Sequence, residues 1–487
     1  MSESLYQINT RVWLTELSRR LDHPATLDDI PNSELDRLAD MGFNWIWFLS
    51  VWQTGLAGQK ISRQNPVLRR EFMEVLPDLR EEDIAGSGFA ITSYKVAEQL
   101  GGDEALGRLR LRLRERGLRL MLDFVPNHTA LDHPWVEEDP DFYVSGSESD
   151  LVRAPGNYTR VARRDGDRIL AHGRDPYFPG WSDTLQLNYG NPTAQEAITG
   201  ELLKIAGQCD GVRCDMAMLM LPEIFERTWG ISAQPFWPGA IQAVKKVRPG
   251  FCFLAEVYWD LEWTLQEQGF DYTYDKRLYD HLREGQARPV RQHLYAGLEF
   301  QNRLARFLEN HDEPRAVVSF PQGTYEAAAV ITFLAPGLRF FQQGQLEGRR
   351  RRISPHLVRA PGETANPRVK QFYSRLLELL KRPLVREGQW QLLDCVPAWE
   401  GNASSDAFIS YSWHVPGHPR LVVAVNYSSH SSQCYVRLPF PDLGAAPWTL
   451  RDLLGEAHYE REGSELQSRG LYLDVPPWQY HAFELMP

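Results

Sequence analysis

The feature that most constrains the fold is a repeated alternation of short apolar runs with longer helix-like stretches over roughly the first 380 residues. Helix-like stretches such as residues 103–116 and 193–208 separate several of the runs. Strands that alternate with helices form parallel sheets, and eight such units in a chain of this length favour a closed (β/α)8 TIM barrel over an open sheet. The candidate strands are residues 6–9, 43–49, 118–124, 211–214, 251–256, 270–274, 306–309 and 338–341.

The alternation is interrupted at two places, which predicts a division into domains. After the third candidate strand, a long stretch rich in Gly, Pro, Asp and Trp predicts a small inserted subdomain that walls the mouth of the barrel. From about Trp390 onward, short β-rich runs separated by turn residues predict a C-terminal antiparallel β-sandwich. We expect a barrel of residues 1–126 and 186–385, an inserted subdomain of residues 127–185 and a C-terminal domain of residues 386–487.

Charge and composition argue against several classes of protein. A net charge of −11 disfavours general nucleic-acid binding, which depends on neutralising phosphates. No apolar run approaches the roughly 20 residues that a membrane helix needs, and the first residues lack the basic and apolar regions of a secretion signal. The five cysteines are an odd number without close metal-binding pairs. We therefore expect free thiols and a cytoplasmic location, with no nucleic-acid or membrane partner.

Four short segments that carry carboxylates and histidines stand at the carboxyl ends of four candidate strands. In a barrel these ends converge on the face that holds the active site. A single acidic residue after a strand can equally be a helix cap, but four such segments in order, with three carboxylates and two histidines, favour a common site. The segments are residues 123–128 (DFVPNH), 211–215 (GVRCD), 254–259 (LAEVYW) and 309–315 (ENHDEPR).

The residue types in these segments suit chemistry at a glycosidic bond. Arg213 and Asp215 would share one face of a strand, so the positive charge would keep the carboxylate ionised, as a nucleophile requires; a structural ion pair at the barrel rim is the alternative. Glu256 lies among apolar and aromatic neighbours, which favour its neutral acid form. One ionised and one protonated carboxyl group are typical of retaining glycoside hydrolysis. Asp312 could hold sugar hydroxyls and favour an oxocarbenium-like transition state.

In order, spacing and strand context, the four segments resemble the four signature regions of the alpha-amylase family, glycoside hydrolase family 13. The resemblance covers about residues 6–344, and the C-terminal sandwich also suits the family. It implies three catalytic carboxylates, with Asp215 as nucleophile, Glu256 as acid/base and Asp312 as transition-state stabiliser. It also implies three residues that contact the sugar or steady the carboxylates, namely His128, Arg213 and His311.

Two departures from the family pattern bear on substrate choice. Residues 86–96 (GSGFAITSYKV) resemble the stretch that supplies an aromatic platform for the sugar, which here would be Phe89 where Tyr is commoner. Ser93 replaces an Asp that is often found in this stretch, and a buried core position is the alternative for Phe89. Met216, which follows the candidate nucleophile, matches neither of the common linkage-specific patterns. The linkage is therefore left open.

Two further features concern metal and phosphate. No cofactor is required for the chemistry, but Asn127 matches a position that ligates a structural calcium in many relatives, so calcium is possible although its other ligands are unknown. The run Arg349–Arg352 follows the eighth candidate strand. Such a run is often a solvated face, but phosphate sites in barrels use the loops after strands 7 and 8. This position leaves room for a phosphorylated sugar or for phosphate as acceptor.

The leading hypothesis is hydrolysis, with retention of configuration, of α-glucosidic bonds in malto-oligosaccharides or a related α-glucan. The expected partner is therefore an α-glucoside or oligosaccharide substrate. Because a covalent glycosyl-enzyme is common to several reactions, a transglycosylase, an isomerase or a sugar phosphorylase with the same triad is the alternative. A non-catalytic carbohydrate-binding barrel is a different class, but such proteins typically lose one of the three carboxylates, and here all three are present.

Overall fold

The computed structural model describes residues 2–320 and 323–487, and its centre is a closed barrel of eight parallel strands. The first strand pairs with the second and with the eighth, which closes the ring. The second strand, WIWFL, is buried at every position, because both faces of a barrel strand are covered. In chain order the strands are Ser4–Asn9, Trp45–Leu49, Arg119–Phe124, Gly211–Cys214, Cys252–Ala255, Tyr272–Tyr274, Leu304–Arg306 and Leu338–Gln342.

The predicted (β/α)8 fold is confirmed, and one predicted strand is misplaced. The sequence predicts the seventh strand at residues 306–309, whereas the structure has it at Leu304–Arg306. Residues 307–309 already belong to the loop that follows. There Glu309 forms a buried ion pair with Arg315 at 3.0 Å and accepts the backbone N–H of Ala316 at 2.6 Å. Apolar content alone does not separate a strand from a buried loop that follows it.

Helices surround the barrel, and their buried faces pack on its strands. Several begin with Pro in the first turn after a polar cap, as at Asn191 before Pro192–Gln208 and Asn366 before Pro367–Leu380. Two short helices follow the third strand and are described below. The other helices before the C-terminal domain are Thr10–Leu21, Asn32–Asp40, Leu56–Gln64, Pro66–Val75, Gly102–Arg114, Pro192–Gln208, Pro222–Trp229, Trp237–Val247, Glu262–Glu267, Lys276–Glu284, Ala287–His293, Leu298–Asn302, Ala316–Ser319, Thr324–Leu334, Pro367–Leu380 and Pro383–Glu387.

Two excursions leave the barrel, after its second and third strands. The third-strand excursion is the predicted inserted subdomain, with helices Trp135–Glu138 and Glu148–Arg153 and two antiparallel pairs, His128–Ala130 with Thr184–Gln186 and Tyr158–Val161 with Arg168–Ala171. The second-strand excursion, which the sequence does not single out, contains the antiparallel pair Trp52–Thr54 and Ile91–Val96. Both excursions contribute to the barrel mouth.

The C-terminal region is an antiparallel sandwich, as predicted. Its six-stranded sheet contains, in spatial order, Gln389–Leu392, Phe408–His414, Arg420–Asn426, Tyr480–Met486, Pro447–Asp452 and His458–Glu462. Its three-stranded sheet contains Cys395–Pro397, Ser432–Val436 and Leu471–Val475, and helix Gly463–Ser468 lies beside the sheets. A separate apolar core lies between the two sheets. Trp413 Nε1 donates to the Leu334 carbonyl at 2.7 Å, which ties the sandwich to the barrel.

None of the helices in the described parts of the chain is long and apolar enough to cross a membrane. The domain limits drawn from the sequence, at residues 126/127, 185/186 and 385/386, remain predictions.

Candidate active site

A cavity of about 290 Å³ opens at the carboxyl ends of the barrel strands. The second-strand excursion, the third-strand excursion and the loops after the fourth, fifth, seventh and eighth strands all contribute to its wall. Six of the seven residues that the sequence singles out line it: Phe89, His128, Asp215, Glu256, His311 and Asp312. The seventh, Arg213, lies buried beneath them. The structure therefore brings all seven to one place.

The buried Arg213 joins two of the carboxylates. Its Nη1 donates to Asp215 Oδ1 at 2.5 Å, and its Nη2 lies 2.8 Å from Glu256 Oε2. The Arg213–Asp215 pair agrees with the sequence prediction, whereas the link to Glu256 comes from the adjacent fifth strand, which pairs in register with the fourth. The guanidinium carbon also lies 5.4 Å from the ring centroids of Trp47 and Phe89. One guanidinium thus fixes two carboxylates, as a planar fork can.

Burial and Arg213 act in opposite directions on these two carboxyl groups. Burial raises the pKa of Glu256 to about 7, with Arg213 opposing the shift and the neighbouring Asp215 adding to it. Burial also raises the pKa of Asp215 above its usual range, and Arg213 counteracts this through charge and a hydrogen bond. The sequence predicts only the lowering effect of Arg213 on the pKa of Asp215, because the larger effect of burial depends on the closed barrel around this residue.

One backbone donor and one side-chain donor hold the Glu256 carboxylate. The N–H of Met216 donates to Oε2 and the hydroxyl of Tyr258 donates to Oε1, both at 2.8 Å. Met216 adopts a left-handed conformation with φ of 43°, which is costly for a residue with a side chain. This conformation directs the backbone N–H of Met216, the residue after Asp215, toward Glu256. The hydrogen bond connects the end of the fourth strand to the end of the fifth.

Asp312 lies in a loop that internal polar contacts hold in shape. Asn310 Oδ1 accepts the N–H groups of Asp312 and Glu313, both at 2.9 Å, and the buried Glu309–Arg315 pair closes the loop. The Asp312 side chain is 46% exposed and faces the cavity, unlike the buried Asp215 and Glu256. This exposure leaves its carboxylate oxygens accessible to a ligand.

Both candidate histidines are neutral in this environment. Burial lowers the pKa of His128 and of His311 to about 3. Gln7 Nε2 lies 2.9 Å from His311 Nδ1, so the amide donates to that nitrogen and the Nε2 proton faces Asp312 Oδ2 at 3.1 Å. His128 packs on Trp181 at 5.2 Å between ring centroids. A neutral imidazole can donate and accept, which suits sugar hydroxyls.

Phe89 is half-buried and lines the cavity, stacked on His311 with ring centroids 5.4 Å apart. The position agrees with the platform interpretation better than with a core residue, because part of the ring faces the cavity.

The cavity residues that the sequence does not single out include Tyr258, Trp181, Asp183 and His356. Tyr258 stands two residues after Glu256, and that spacing could have singled it out. Asp183 is buried, with Oδ2 lacking a hydrogen-bond partner in the described structure, and burial raises its pKa to about 6. Nothing in their sequence context distinguishes Trp181, Asp183 or His356 from ordinary loop residues.

The surroundings of Asn127 do not suit a calcium ion. Its Oδ1 accepts from Gln186 Nε2 at 3.0 Å, and its carbonyl accepts from the same amide at 2.9 Å. Both oxygens of Asn127 therefore accept a hydrogen bond from the same side-chain amide. Within residues 2–320 and 323–487, no group of three or more His, Cys, Asp or Glu side chains is arranged to hold a metal ion.

The arginine run after the eighth strand is spread along the surface. The backbone N–H groups of Arg350 and Arg351 donate to Glu363, and Arg349 pairs with Glu16 at 3.4 Å. Arg352 alone of the four reaches the site, where its Nη1 donates to the Asp312 carbonyl at 3.2 Å.

Comparison with known proteins agrees with the fold. Over 286 residues the chain is 26% identical to "Alpha-amylase MalA" of Haloarcula japonica, covering 57% of this chain and 39% of the relative. It is 26% identical over 316 residues to "Trehalose synthase" of Thermus thermophilus, covering 58% and 28% respectively. The chain thus spans less than half the length of these two relatives. The crystal structure of "a noncanonic maltogenic alpha-amylase AmyB" from Thermotoga neapolitana superposes with a TM-score of 0.70 and 17% identity, covering 100% of this chain and 99% of that one.

The family model "Alpha amylase, catalytic domain" matches residues 30–354, which is more than half of the 487 residues and contains all seven site residues. On this match, together with the barrel and the order of its strand-end segments, the chain belongs to the alpha-amylase family.

Proposed function

We propose that this protein is a retaining α-glycosidase that hydrolyses α-glucosidic bonds of malto-oligosaccharides or a related α-glucan. One observation carries the proposal: a single buried guanidinium, that of Arg213, holds both Asp215 and Glu256 at the floor of a cavity that Asp312 also lines. Double displacement at an anomeric carbon requires two carboxyl groups side by side, one of which carries a proton near neutral pH, as the pKa of about 7 allows Glu256 to do.

In the first half of the reaction, protonated Glu256 gives its proton to the glycosidic oxygen while Asp215 attacks the anomeric carbon. The bond from that carbon to the leaving oxygen breaks, and a bond to the Asp215 oxygen forms. In the second half, ionised Glu256 takes a proton from water, whose oxygen attacks the anomeric carbon and releases Asp215. Atoms and charges balance over the cycle, and Glu256 ends protonated as it began.

The other cavity residues would position the sugar. Phe89 offers the free part of its ring as a platform, and neutral His128 and His311 offer hydrogen-bonding groups to hydroxyls. Asp312, exposed to the cavity, would hold hydroxyl groups and favour the positive charge that develops on the ring. These roles follow from position and chemistry together.

Exposed aromatic residues at the cavity rim favour a substrate of more than one sugar. Tyr177 of the inserted subdomain and Trp259, which directly follows the cavity residue Tyr258, contact each other edge to face at 5.1 Å. Both rings are exposed. Large exposed aromatic surfaces beside a cavity mark binding surfaces, and here they would carry the leaving part of an oligosaccharide.

Transfer of the glycosyl group to an acceptor other than water is the second candidate function, because the three carboxylates do not determine which acceptor attacks the glycosyl-enzyme. Arg352 provides the observation that favours it: its guanidinium reaches the backbone of Asp312 and could also bind an anionic acceptor or substituent. A sugar acceptor would make the protein a transglycosylase or isomerase, and phosphate would make it a phosphorylase. A non-catalytic binding barrel is disfavoured, since all three carboxylates and their supporting contacts are in place.

We further propose that no cofactor takes part in the chemistry and that the protein works in the cytoplasm. All five cysteines are free thiols, four of them buried, which supports a reducing compartment.

The experiment is product analysis on a panel of α-glucosides, in buffer alone, with phosphate, and with a free sugar acceptor. Reducing sugar released in buffer alone supports the hydrolase. Products that need phosphate or an acceptor sugar replace the hydrolase with a phosphorylase or a transferase. Turnover that persists in Asp215→Asn contradicts the proposed nucleophile, and a folded wild type that turns over nothing supports the non-catalytic barrel.

A further inference from the structure

A second cavity, with a volume of about 730 Å³, lies between the segments that follow the fifth and sixth barrel strands. None of its lining residues lines the catalytic cavity. Its volume is in the range typical of small-molecule sites. Its wall is aromatic on one side, with Trp263, Tyr295 and Phe300, and polar on the other.

The aromatic side of this cavity faces solvent. Trp263 is 41% exposed and Tyr295 is 62% exposed. Trp263 contacts Phe300 edge to face, with ring centroids 6.1 Å apart. Exposing two large rings in one concave place is costly unless a ligand covers them.

The polar side contains a buried carboxyl group that no other side chain in the described part of the chain pairs with. Glu262 is 7% exposed, and the hydrogen bond to its carboxylate comes from its own backbone N–H. Buried carboxylates are normally paired, because an unpaired one is costly. Burial raises the pKa of Glu262 to about 7. The carboxyl group can therefore both donate and accept a hydrogen bond near neutral pH.

The remaining charges at the cavity are balanced. Arg277 Nη1 pairs with Asp260 Oδ1 at 2.8 Å at the rim, and His293 pairs with the buried Asp275 at 2.9 Å. A cavity without a surplus of either sign does not select a phosphate or an ammonium group. Flat aromatic rings beside a group that both donates and accepts match a neutral ligand with one apolar face and many hydroxyls, which is a sugar.

The chain itself connects the two cavities. Tyr258 lines the catalytic cavity and donates to Glu256, while Asp260, two residues later, lines the second cavity. Trp259 and Asp260, which make the connection, both adopt left-handed conformations, with φ of 66° and 59°. Non-glycine residues hold such conformations only where the surrounding structure enforces them. A short, strained turn thus separates the two cavities.

We propose that the second cavity is a binding site for a neutral α-linked gluco-oligosaccharide, with Trp263 and Tyr295 stacking on the sugar and Glu262 binding its hydroxyls. This inference rests on the proposed function for the identity of the sugar. The site would hold a remote part of a long glucan while the catalytic cavity acts on one bond, so the two sites together raise the local concentration of substrate.

The test is electrophoresis through native gels that contain soluble amylose, which slows a protein that binds the glucan. All proteins carry Asp215→Asn so that the glucan is not consumed. The parent is expected to be slowed, and Trp263→Ala and Tyr295→Ala are each expected to weaken the apparent affinity about tenfold. Trp399→Ala is the matched control, because Trp399 is an exposed Trp of the C-terminal domain, 56% exposed, and should change nothing. Thermal unfolding of each variant checks its fold.

Three results would overturn the inference: a parent that migrates as in a gel without amylose, unchanged retardation in both cavity variants, or an equal loss in Trp399→Ala. Hydrolysis by the wild type is assayed separately, so the inference and the proposed function can fail independently. If the wild type hydrolyses glucans but the cavity variants are slowed in the gel as much as the parent, only this inference is overturned. If amylose slows the parent and the cavity variants lose this effect, but the wild type does not hydrolyse glucans, only the proposed function is overturned.

Discussion

The guanidinium of Arg213 forms an ion pair with the carboxylate of Glu256 at 2.8 Å while its other Nη donates to Asp215. One residue therefore lowers the pKa of both proposed reacting groups, against the larger effect of burial. The pairing also places them side by side, because the fourth and fifth strands are adjacent in the barrel.

Replacing Arg213 with Lys should lower kcat/KM by about 100- to 1000-fold, because a point charge cannot hold both carboxylates as the fork does. It should also move the pH profile. Arg213 lowers the pKa of Asp215 and of Glu256, so weakening its hold raises both. The acid limb, which needs ionised Asp215, and the alkaline limb, which needs protonated Glu256, should both shift to higher pH. A lower rate with an unmoved profile would contradict this role.

For the wild type, kcat/KM should fall above about pH 7, where Glu256 loses its proton. The Tyr258 hydroxyl donates to this carboxylate and so favours its ionised form. Tyr258→Phe should therefore raise the pKa of Glu256 and move the alkaline limb upward, leaving the acid limb in place. If the acid limb shifts instead, the Tyr258 hydroxyl affects the pKa of Asp215 and not that of Glu256, which would contradict the prediction.

The loop that carries Asp312 should depend on the buried Glu309–Arg315 pair. Glu309→Gln leaves the Arg315 charge buried with a weaker partner, and we expect the free energy of unfolding to fall by about 3 kcal/mol, together with a loss of activity. Denaturant unfolding measures the first effect. The control is Arg108→Ala, which breaks the exposed ion pair with Asp28 and should leave stability and activity nearly unchanged. Equal effects of the two variants would contradict the account of the loop.

Metal chelation should leave this protein unchanged. Both oxygens of Asn127 accept from Gln186, and the described residues contain no group of three or more His, Cys, Asp or Glu side chains arranged for a metal ion. We therefore expect EDTA to alter neither Tm nor kcat, and added calcium to restore nothing. A drop in Tm on chelation that added calcium reverses would contradict this prediction and support the structural calcium that the family resemblance implies.

The sequence predicts the barrel well because its signal is local and repeated: each strand is a short apolar run that the barrel buries on both faces. It predicts that Asp215 and Glu256 lie together because strand ends converge in a barrel, and the resemblance to the alpha-amylase family adds the other five residues at that place. Their roles stay predictions. What it could not predict depends on tertiary contacts. The Arg213–Glu256 bond depends on strand register, and the rise in the pKa of Asp215 depends on burial. Asp183 and His356 reach the cavity through long loops whose paths no local pattern determines.

The central claim is that Asp215 becomes covalently bonded to the sugar. A glycosyl donor whose enzyme adduct is hydrolysed slowly, 5-fluoro-α-glucosyl fluoride, should accumulate the glycosyl-enzyme as fluoride leaves the anomeric carbon. Mass spectrometry of the digested protein should place one added 5-fluorohexosyl group on the peptide that contains Asp215. Asp215→Asn should show no adduct while keeping the wild-type Tm. An adduct on another carboxylate, or turnover of the donor without any adduct in the quenched wild type, would contradict the account.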